Sequence, residues 1–138
     1  MSDGPQGSPD ARAAVPRVLV VEDEALIALD YTVTLEGMGF EVCAIASTGA
    51  EALKHAAAHQ PDVILMDVNI RGDLDGIETA HRIRDAGIRS AIIFVTAFGD
   101  PETVARMKAF APHGYLRKPV MPEDLERAII RALKGDDD

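Results

Sequence analysis

Four strand-like segments of the chain, the last of them less apolar than the others, each end on polar side chains that are capable of catalysis or ligand binding. These side chains are three carboxylates, one hydroxyl and one ammonium, on Glu22, Asp23, Asp67, Thr96 and Lys118. Carboxylates held close together repel one another, so a purely structural domain gains nothing from gathering three of them. A hard cation such as Mg²⁺ would relieve the repulsion, because it binds one or two carboxylates together with water and phosphate oxygens. With the ammonium and the hydroxyl added, the set suits a phosphoryl group held beside a carboxylate.

Asp67 ends the most informative of these segments. The preceding residues 63–66 form an uninterrupted apolar run, Val-Ile-Leu-Met, which is typical of a strand buried on both faces of a parallel sheet. In open α/β sheets, ligands and reacting groups collect at the carboxyl ends of such strands. An isolated Asp at this place more often starts a turn or caps a helix, so the functional interpretation depends on the residues that accompany it.

Five strands are predicted to alternate with five helices along the chain. The strands are predicted at residues 17–21, 41–46, 63–67, 91–96 and 114–117. Strict alternation predicts a parallel sheet with helices on both faces, because parallel strands need crossover connections and these are right-handed. The predicted fold class is therefore a doubly wound α/β domain, and all the strand-end polar groups are expected at one edge of its sheet.

Apolar residues at helical spacing follow each predicted strand. They are Leu26, Leu29 and Val33; Ala50, Leu53 and Ala57; Ile77, Ala80 and Ile83; Val104 and Met107; and Leu125, Ala128, Ile129, Ala132 and Leu133. The fourth helix is predicted to start at Asp100, since a capping side chain followed by Pro101 is a typical helix start.

Composition limits the classes of function. The chain has 138 residues, 47% of them hydrophobic, with a net charge of −9. We expect one folded domain at 15–134, between a flexible tail at 1–14 and an acidic tail at 135–138. The negative charge argues against binding nucleic acid or anionic membranes, and no apolar run is long enough to span a membrane. With the single cysteine Cys43 no intrachain disulfide forms, which predicts the reducing cytoplasm.

The strand-end motifs are Val-Val-Glu-Asp-Glu at 20–24, Leu-Met-Asp at 65–67, Val-Thr-Ala at 95–97 and Gly-Tyr-Leu-Arg-Lys-Pro at 114–119. Together they resemble the receiver domain of bacterial two-component response regulators. No single motif is specific, but the four in this order are, and the resemblance covers residues 17–134. It implies a flavodoxin-like five-stranded sheet with strand order 2-1-3-4-5.

The resemblance implies a phosphoryl acceptor and a metal site. Asp67 would take a phosphoryl group from the phosphohistidine of a sensor histidine kinase or a histidine phosphotransfer protein. Mg²⁺ would be bound by Asp67 and Asp23 directly, by Glu22 through water, and by the backbone carbonyl of Asn69. The domain would assist its own phosphorylation and dephosphorylation, and it would be a signalling protein and not an enzyme acting on other substrates.

The resemblance also implies a switch. Thr96 and Lys118 would each bind an oxygen of the phosphoryl group. Tyr115 matches the family's switch aromatic, which turns inward when the threonine moves, and the Lys118–Pro119 peptide bond would be cis.

Three features depart from the family pattern. The acidic pair is Glu-Asp where many members have Asp-Asp. The loop from Val68 to Gly76 lacks a common proline and is one residue longer than usual, which leaves the role of Asn69 open. Phe98 stands two residues after Thr96, where we expect a bulky group to slow the entry of hydrolytic water.

Only a short tail follows the last predicted helix, so we expect a stand-alone receiver that signals by contacting a downstream protein. The helix starting at Asp100 and the strand containing Tyr115 are the expected contact face, and a homodimer through the same face is left open. One alternative is a pseudo-receiver that binds partners without phosphorylation. Another is a phosphatase of the haloacid dehalogenase type, but those enzymes need a second acid where this chain has Asn69.

Overall fold

The computed structural model describes residues 15–97 and 99–135. The strands are β1 (Arg17–Val21), β2 (Glu41–Ala46), β3 (Val63–Asp67), β4 (Ala91–Thr96) and β5 (Gly114–Arg117). The helices of these described ranges are α1 (Ala25–Gly37), α2 (Gly49–His59), α3 (Gly76–Asp85), α4 (Pro101–Phe110) and α5 (Pro122–Leu133). The predicted N-terminal tail, Phe98 and the last three residues of the predicted acidic tail lie outside the described residues.

The five strands form one parallel sheet in the order β2-β1-β3-β4-β5. The predicted fold class and strand order are therefore confirmed. In this order β1 and β4 flank β3, and the register aligns Val21 with Met66 and Asp67 with Val95. The residues that follow β1, β3 and β4 are consequently neighbours at the carboxyl edge of the sheet, as the alternation of elements predicts.

Alternate residues of the central strands face two separate hydrophobic clusters. One cluster packs β1, β3 and β4 against α2, α3 and α4; its largest strand residues are Leu19, Ile64, Met66, Ile92 and Phe94. The other packs the opposite face of the same strands against α1 and α5; its strand residues include Val18, Val20, Val63, Leu65 and Ile93. Both faces of the sheet are thus covered by helices, which explains the uninterrupted apolar sequence of β3 and β4.

The face that α1 turns to the sheet differs from the predicted one. The stripe of Leu26, Leu29 and Val33 is exposed, at 81%, 55% and 63%. The buried residues of α1 are Ala28, Tyr31 and Leu35. The prediction was wrong because apolar residues occur on every side of this helix, so their spacing does not select one face.

In α2 the buried face is displaced by about one residue from the predicted one. Gly49, Ala52 and Ala56 are buried, whereas the predicted Ala50 and Ala57 are exposed. Alanines occur on all sides of this helix and mark its core face poorly. In α5 the last predicted core residue, Leu133, is 37% exposed.

Candidate functional site at the carboxyl edge of the sheet

Three carboxylates meet where β1 and β3 end. Glu22, Asp23 and Asp67 each place a carboxylate oxygen within 4.8 Å of the other two. Glu22 and Asp67 are almost fully buried, with 1% and 3% of their surfaces exposed. The structure therefore brings together the three acids that the sequence singles out. Burying several negatively charged carboxylates together costs free energy unless positive charges compensate them.

Lys118 is the cation that enters this cluster. It follows β5, and its backbone N–H donates a 2.9 Å hydrogen bond to the carbonyl of Thr96 at the end of β4. Its Nζ lies 3.1 Å from Asp67 Oδ2 and 3.3 Å from Glu22 Oε1. Burial lowers the pKa of Lys118, but the contacts with Asp67 and Glu22 outweigh burial and raise it overall. Lys118 is therefore held charged, and the Lys118–Pro119 bond is cis as the resemblance implies.

The loop after β3 holds the second oxygen of Asp67. The backbone N–H of Asn69 donates a 3.1 Å hydrogen bond to Asp67 Oδ1. The side chain of Asp67 thus has a fixed orientation, with one oxygen on an amide and the other on an ammonium. Asn69 itself is exposed.

Gly76, which sequence reasoning missed, anchors this loop against the end of β3. Its N–H donates a 2.8 Å hydrogen bond to the Val68 carbonyl. A Cβ at position 76 would overlap the carbonyl oxygen of Asp67. Asp75 and Glu78 form a capping box that starts α3 at this residue. Glycine directly after a capping aspartate was the available signal, but the close approach of backbone to backbone is a tertiary feature.

Arg71 is a second residue that sequence reasoning missed. Its Nε lies 3.5 Å from Asp23 Oδ2, and its side chain is 77% exposed. A guanidinium therefore lies at the open side of the acidic cluster.

Thr96 and Tyr115 both line one surface cavity. Thr96 is buried at the end of β4, with 5% of its surface exposed, whereas Tyr115 on β5 is 56% exposed. The cavity has a volume of about 270 Å³, and its lining includes Thr96, Tyr115, Val104 and Met107. The space next to Thr96 is thus open on the side of α4, and Tyr115 points outward.

Burial raises the pKa of the Glu22 carboxyl to about 7. The negative charge of Asp67 also raises this pKa. Two contacts lower it: the Glu24 N–H donates a 3.0 Å hydrogen bond to Glu22 Oε2, and the positive charge of Lys118 lies nearby. Near neutral pH the Glu22 carboxyl is therefore partly protonated.

We expect this carboxyl to make the metal-free protein less stable as the pH rises. A folded-state pKa above the unfolded value means that the stability is fully present below pH 4.5 and is lost as the pH rises through about 7. Between pH 5.5 and pH 8 the predicted loss in free energy of unfolding is about 2 kcal/mol. Urea unfolding in EDTA measures it, comparing wild type with Glu22→Gln.

The Glu22→Gln variant should lack this part of the pH dependence. A matched control is Glu36→Gln, which removes an exposed carboxylate from α1. Equal slopes in wild type and Glu22→Gln would contradict the prediction.

The donors of the cluster suit a hard cation. Glu22, Asp23 and Asp67 all offer oxygen atoms, which Mg²⁺ prefers, and neither His nor Cys is part of the group. The residues therefore fit a magnesium ion.

Among the described residues, no helix has the length and apolar character needed to cross a membrane.

The parallel fold with an acidic cluster and a lysine at its carboxyl edge defines a receiver domain. Residues 18–130 match the family described as "Response regulator receiver domain". The chain belongs to this family.

Individual relatives agree with this assignment. The chain is 41% identical over 125 residues to the transcriptional regulatory protein PdtaR of Mycobacterium tuberculosis, which covers 90% of this chain and 60% of that protein. The signal receiver domain of a modulated diguanylate cyclase from Desulfovibrio desulfuricans G20 is 41% identical and superimposes with a TM-score of 0.82, covering 88% of this chain and 95% of that one. Chemotaxis protein CheY4 of Vibrio cholerae is 34% identical and superimposes with a TM-score of 0.79. The match covers 87% of this chain and 100% of that one. The chain spans 43–60% of the length of the curated relatives it matches.

Proposed function

We propose that this chain is a response regulator that accepts a phosphoryl group on Asp67 and signals through phosphorylation-dependent protein contacts. The donor is the phosphohistidine of a sensor histidine kinase or a histidine phosphotransfer protein. The observation that carries the proposal is the state of Asp67, a buried carboxylate whose two oxygens are held by Lys118 and the Asn69 N–H beside Glu22 and Asp23.

In the proposed reaction, an Asp67 oxygen attacks phosphorus as the bond from phosphorus to the histidine nitrogen breaks. The nitrogen keeps the electron pair of that bond, and an acyl phosphate forms on Asp67. A carboxylate is already an anion, so no protein base has to remove a proton. The work of the site is therefore positioning and charge neutralisation.

Each polar residue has a separate part in this proposal. Lys118 stays charged and lies within reach of an oxygen on the transferred group. Thr96, at the end of the neighbouring strand, would donate its hydroxyl to another oxygen. The burial of Asp67 limits the approach of competing water.

Glu22, Asp23, Asp67 and the carbonyl of Asn69 are the groups that would hold Mg²⁺. When bound, the ion neutralises the negative charge that a phosphoryl group brings to three carboxylates. Hydrolysis of the acyl phosphate would reset the site.

The proposed signal runs through Thr96 and Tyr115. A phosphoryl group on Asp67 would draw Thr96 toward it, and the cavity of about 270 Å³ beside Thr96 offers room for Tyr115 to turn inward. This movement would alter the surface formed by α4, β5 and α5, which we propose as the contact face for a downstream protein in the cytoplasm. A homodimer through this face is a further option for the same surface.

The test is intact mass after incubation with acetyl phosphate and Mg²⁺. We expect a gain of one phosphoryl group in the wild type and complete loss of this gain in Asp67→Asn, since only Asp67 supplies the nucleophile. Asp85→Asn, at the end of α3, is the matched control and should be labelled like the wild type. Labelling that persists in Asp67→Asn would contradict the proposal.

A short-lived adduct is recognised by a second measurement. Beryllofluoride forms a stable mimic of the acyl phosphate, so a saturable change in the amide spectrum with beryllofluoride and Mg²⁺ supports the proposal even without a mass gain.

One contact favours a second candidate function, a pseudo-receiver that binds its partners without phosphorylation. Arg71 supplies a positive charge at Asp23, where a metal ion would otherwise compensate the acid. A folded wild-type protein that responds to neither acetyl phosphate nor beryllofluoride would favour this alternative.

A further inference from the structure

Two cationic side chains divide the three carboxylates between them. Lys118 contacts Glu22 and Asp67 from inside the cluster. Within the described ranges, Arg71 is the one cationic side chain within 4 Å of the Asp23 carboxylate. The side chain of Asp23 is 12% exposed, so this carboxylate has little water to stabilise its charge. Arg71 therefore compensates the acid that Lys118 does not reach.

The backbone of Arg71 is held in place although its side chain is exposed. Arg71 forms an isolated parallel bridge with Thr48, the residue that caps the start of α2. The preceding residue, Ile70, is 8% exposed and belongs to the hydrophobic cluster of α2, α3 and α4. The following residue, Gly72, has a φ of +106°, a conformation that favours glycine. The loop thus holds the backbone of Arg71 where its guanidinium can reach Asp23.

The end of the Arg71 side chain is free to leave Asp23 at low cost. Exposed ion pairs contribute little net stability, because solvent screens them and holding a long side chain costs entropy. A guanidinium is charged at every accessible pH, so Arg71 cannot make room by losing a proton. A cation that binds Asp23 must therefore displace Arg71 and tolerate its charge nearby.

We propose that Arg71 is a built-in counter-ion of Asp23 that competes with the divalent cation and weakens its binding to the acidic cluster. The inference rests on the proposed function, because it concerns the cation of the same site. It also gives a role to a residue of the loop from Val68 to Gly76. Arg71 sets the magnesium concentration at which the receiver becomes competent for phosphorylation.

The test is a titration of metal-stripped protein with MgCl₂, followed by amide chemical shifts at low ionic strength. We expect Arg71→Ala and Arg71→Gln to bind Mg²⁺ about three- to tenfold more tightly than the wild type, since each removes one nearby positive charge. Arg71→Lys keeps the charge and should stay close to the wild-type affinity. Because Arg71 is exposed, the difference should shrink at high ionic strength.

Arg89→Ala is the matched control. It also removes one exposed arginine, but from the loop before β4, at the opposite edge of the sheet. Its Mg²⁺ affinity should equal that of the wild type. A tighter affinity in Arg89→Ala would assign the effect to net charge and overturn the proposal for Arg71.

The outcomes separate this inference from the proposed function. If wild type and both charge-removing variants bind Mg²⁺ with equal affinity, Arg71 is not a competitor, while the receiver function stands. Weaker binding by the variants would make Arg71 a supporting residue of the metal site and also overturn the inference. If no folded variant binds Mg²⁺ saturably, the metal site itself is refuted and the competition with it.

Discussion

Lys118→Ala should slow the transfer of a phosphoryl group to Asp67 by about 10²- to 10³-fold, the usual loss when one fixed charge-stabilising donor is removed. Lys118 Nζ lies 3.1 Å from Asp67 Oδ2, so it is placed to stabilise negative charge that develops on the oxygens of the transferred group. In a buried site this stabilisation is much larger than in water. The time course of acetyl phosphate labelling, followed by intact mass, measures the change.

The same substitution removes the ammonium that compensates two buried acids. The charge of Lys118 lowers the pKa of Glu22, so its loss should raise that pKa further and strengthen the tendency of Glu22 to take up a proton. Lys54→Ala on α2 is the matched control, because Lys54 is exposed and lies outside the site. If Lys118→Ala is labelled within about threefold of the wild-type rate, a span too small for a lost charge-stabilising donor, the role proposed for Lys118 is wrong.

Gly76→Ala should destabilise the protein by about 3 kcal/mol and impair the phosphoryl acceptor as well. The new Cβ would overlap the carbonyl oxygen of Asp67 and approach the Cα of Val68 to 2.8 Å. Both obstacles are backbone atoms, so no side-chain rotation relieves the overlap. Either α3 or the end of β3 has to shift, and a shift of β3 moves the Asp67 carboxylate relative to Lys118.

Urea unfolding of Gly76→Ala measures the loss of stability, and acetyl phosphate labelling measures the damage to the site. The chain offers a close control in Gly37→Ala at the end of α1, where a Cβ meets no atom within 4 Å. That variant should unfold at or above the wild-type urea concentration, because alanine favours helix over glycine. If Gly76→Ala is as stable toward urea as Gly37→Ala, the backbone around position 76 accommodates a Cβ at low cost and the prediction is wrong.

The strands and their polar ends could be predicted from the sequence because their signals are local. In β3 and β4 every residue is buried, so the sequence is apolar without interruption up to Asp67 and Thr96. The start of α4 could also be predicted, since Asp100 caps the helix by accepting a hydrogen bond from the Thr103 N–H, and Pro101 follows it. Parallel topology then brings the strand ends together without further information.

The remaining features depend on tertiary contacts that local patterns do not encode. In α1 both sides are apolar, and only packing decides that Tyr31 and Leu35 are buried while Leu26 is exposed. Arg71 is one of several charged residues in a polar loop, and only the tertiary bridge with Thr48 places its backbone beside the start of α2. Gly76 matters through its distance from Asp67, which is nine positions away in the chain.

Strand β3 contributes side chains to both hydrophobic clusters. Ile64 and Met66 belong to one cluster, Val63 and Leu65 to the other, and Asp67 ends the same strand. Close-packed protein interiors have low compressibility, so a displacement of this strand cannot be absorbed within one layer of helices. A displacement of β3 at the acidic edge therefore changes the packing on both faces of the sheet. It affects α1 and α5 on one face and α2, α3 and α4 on the other.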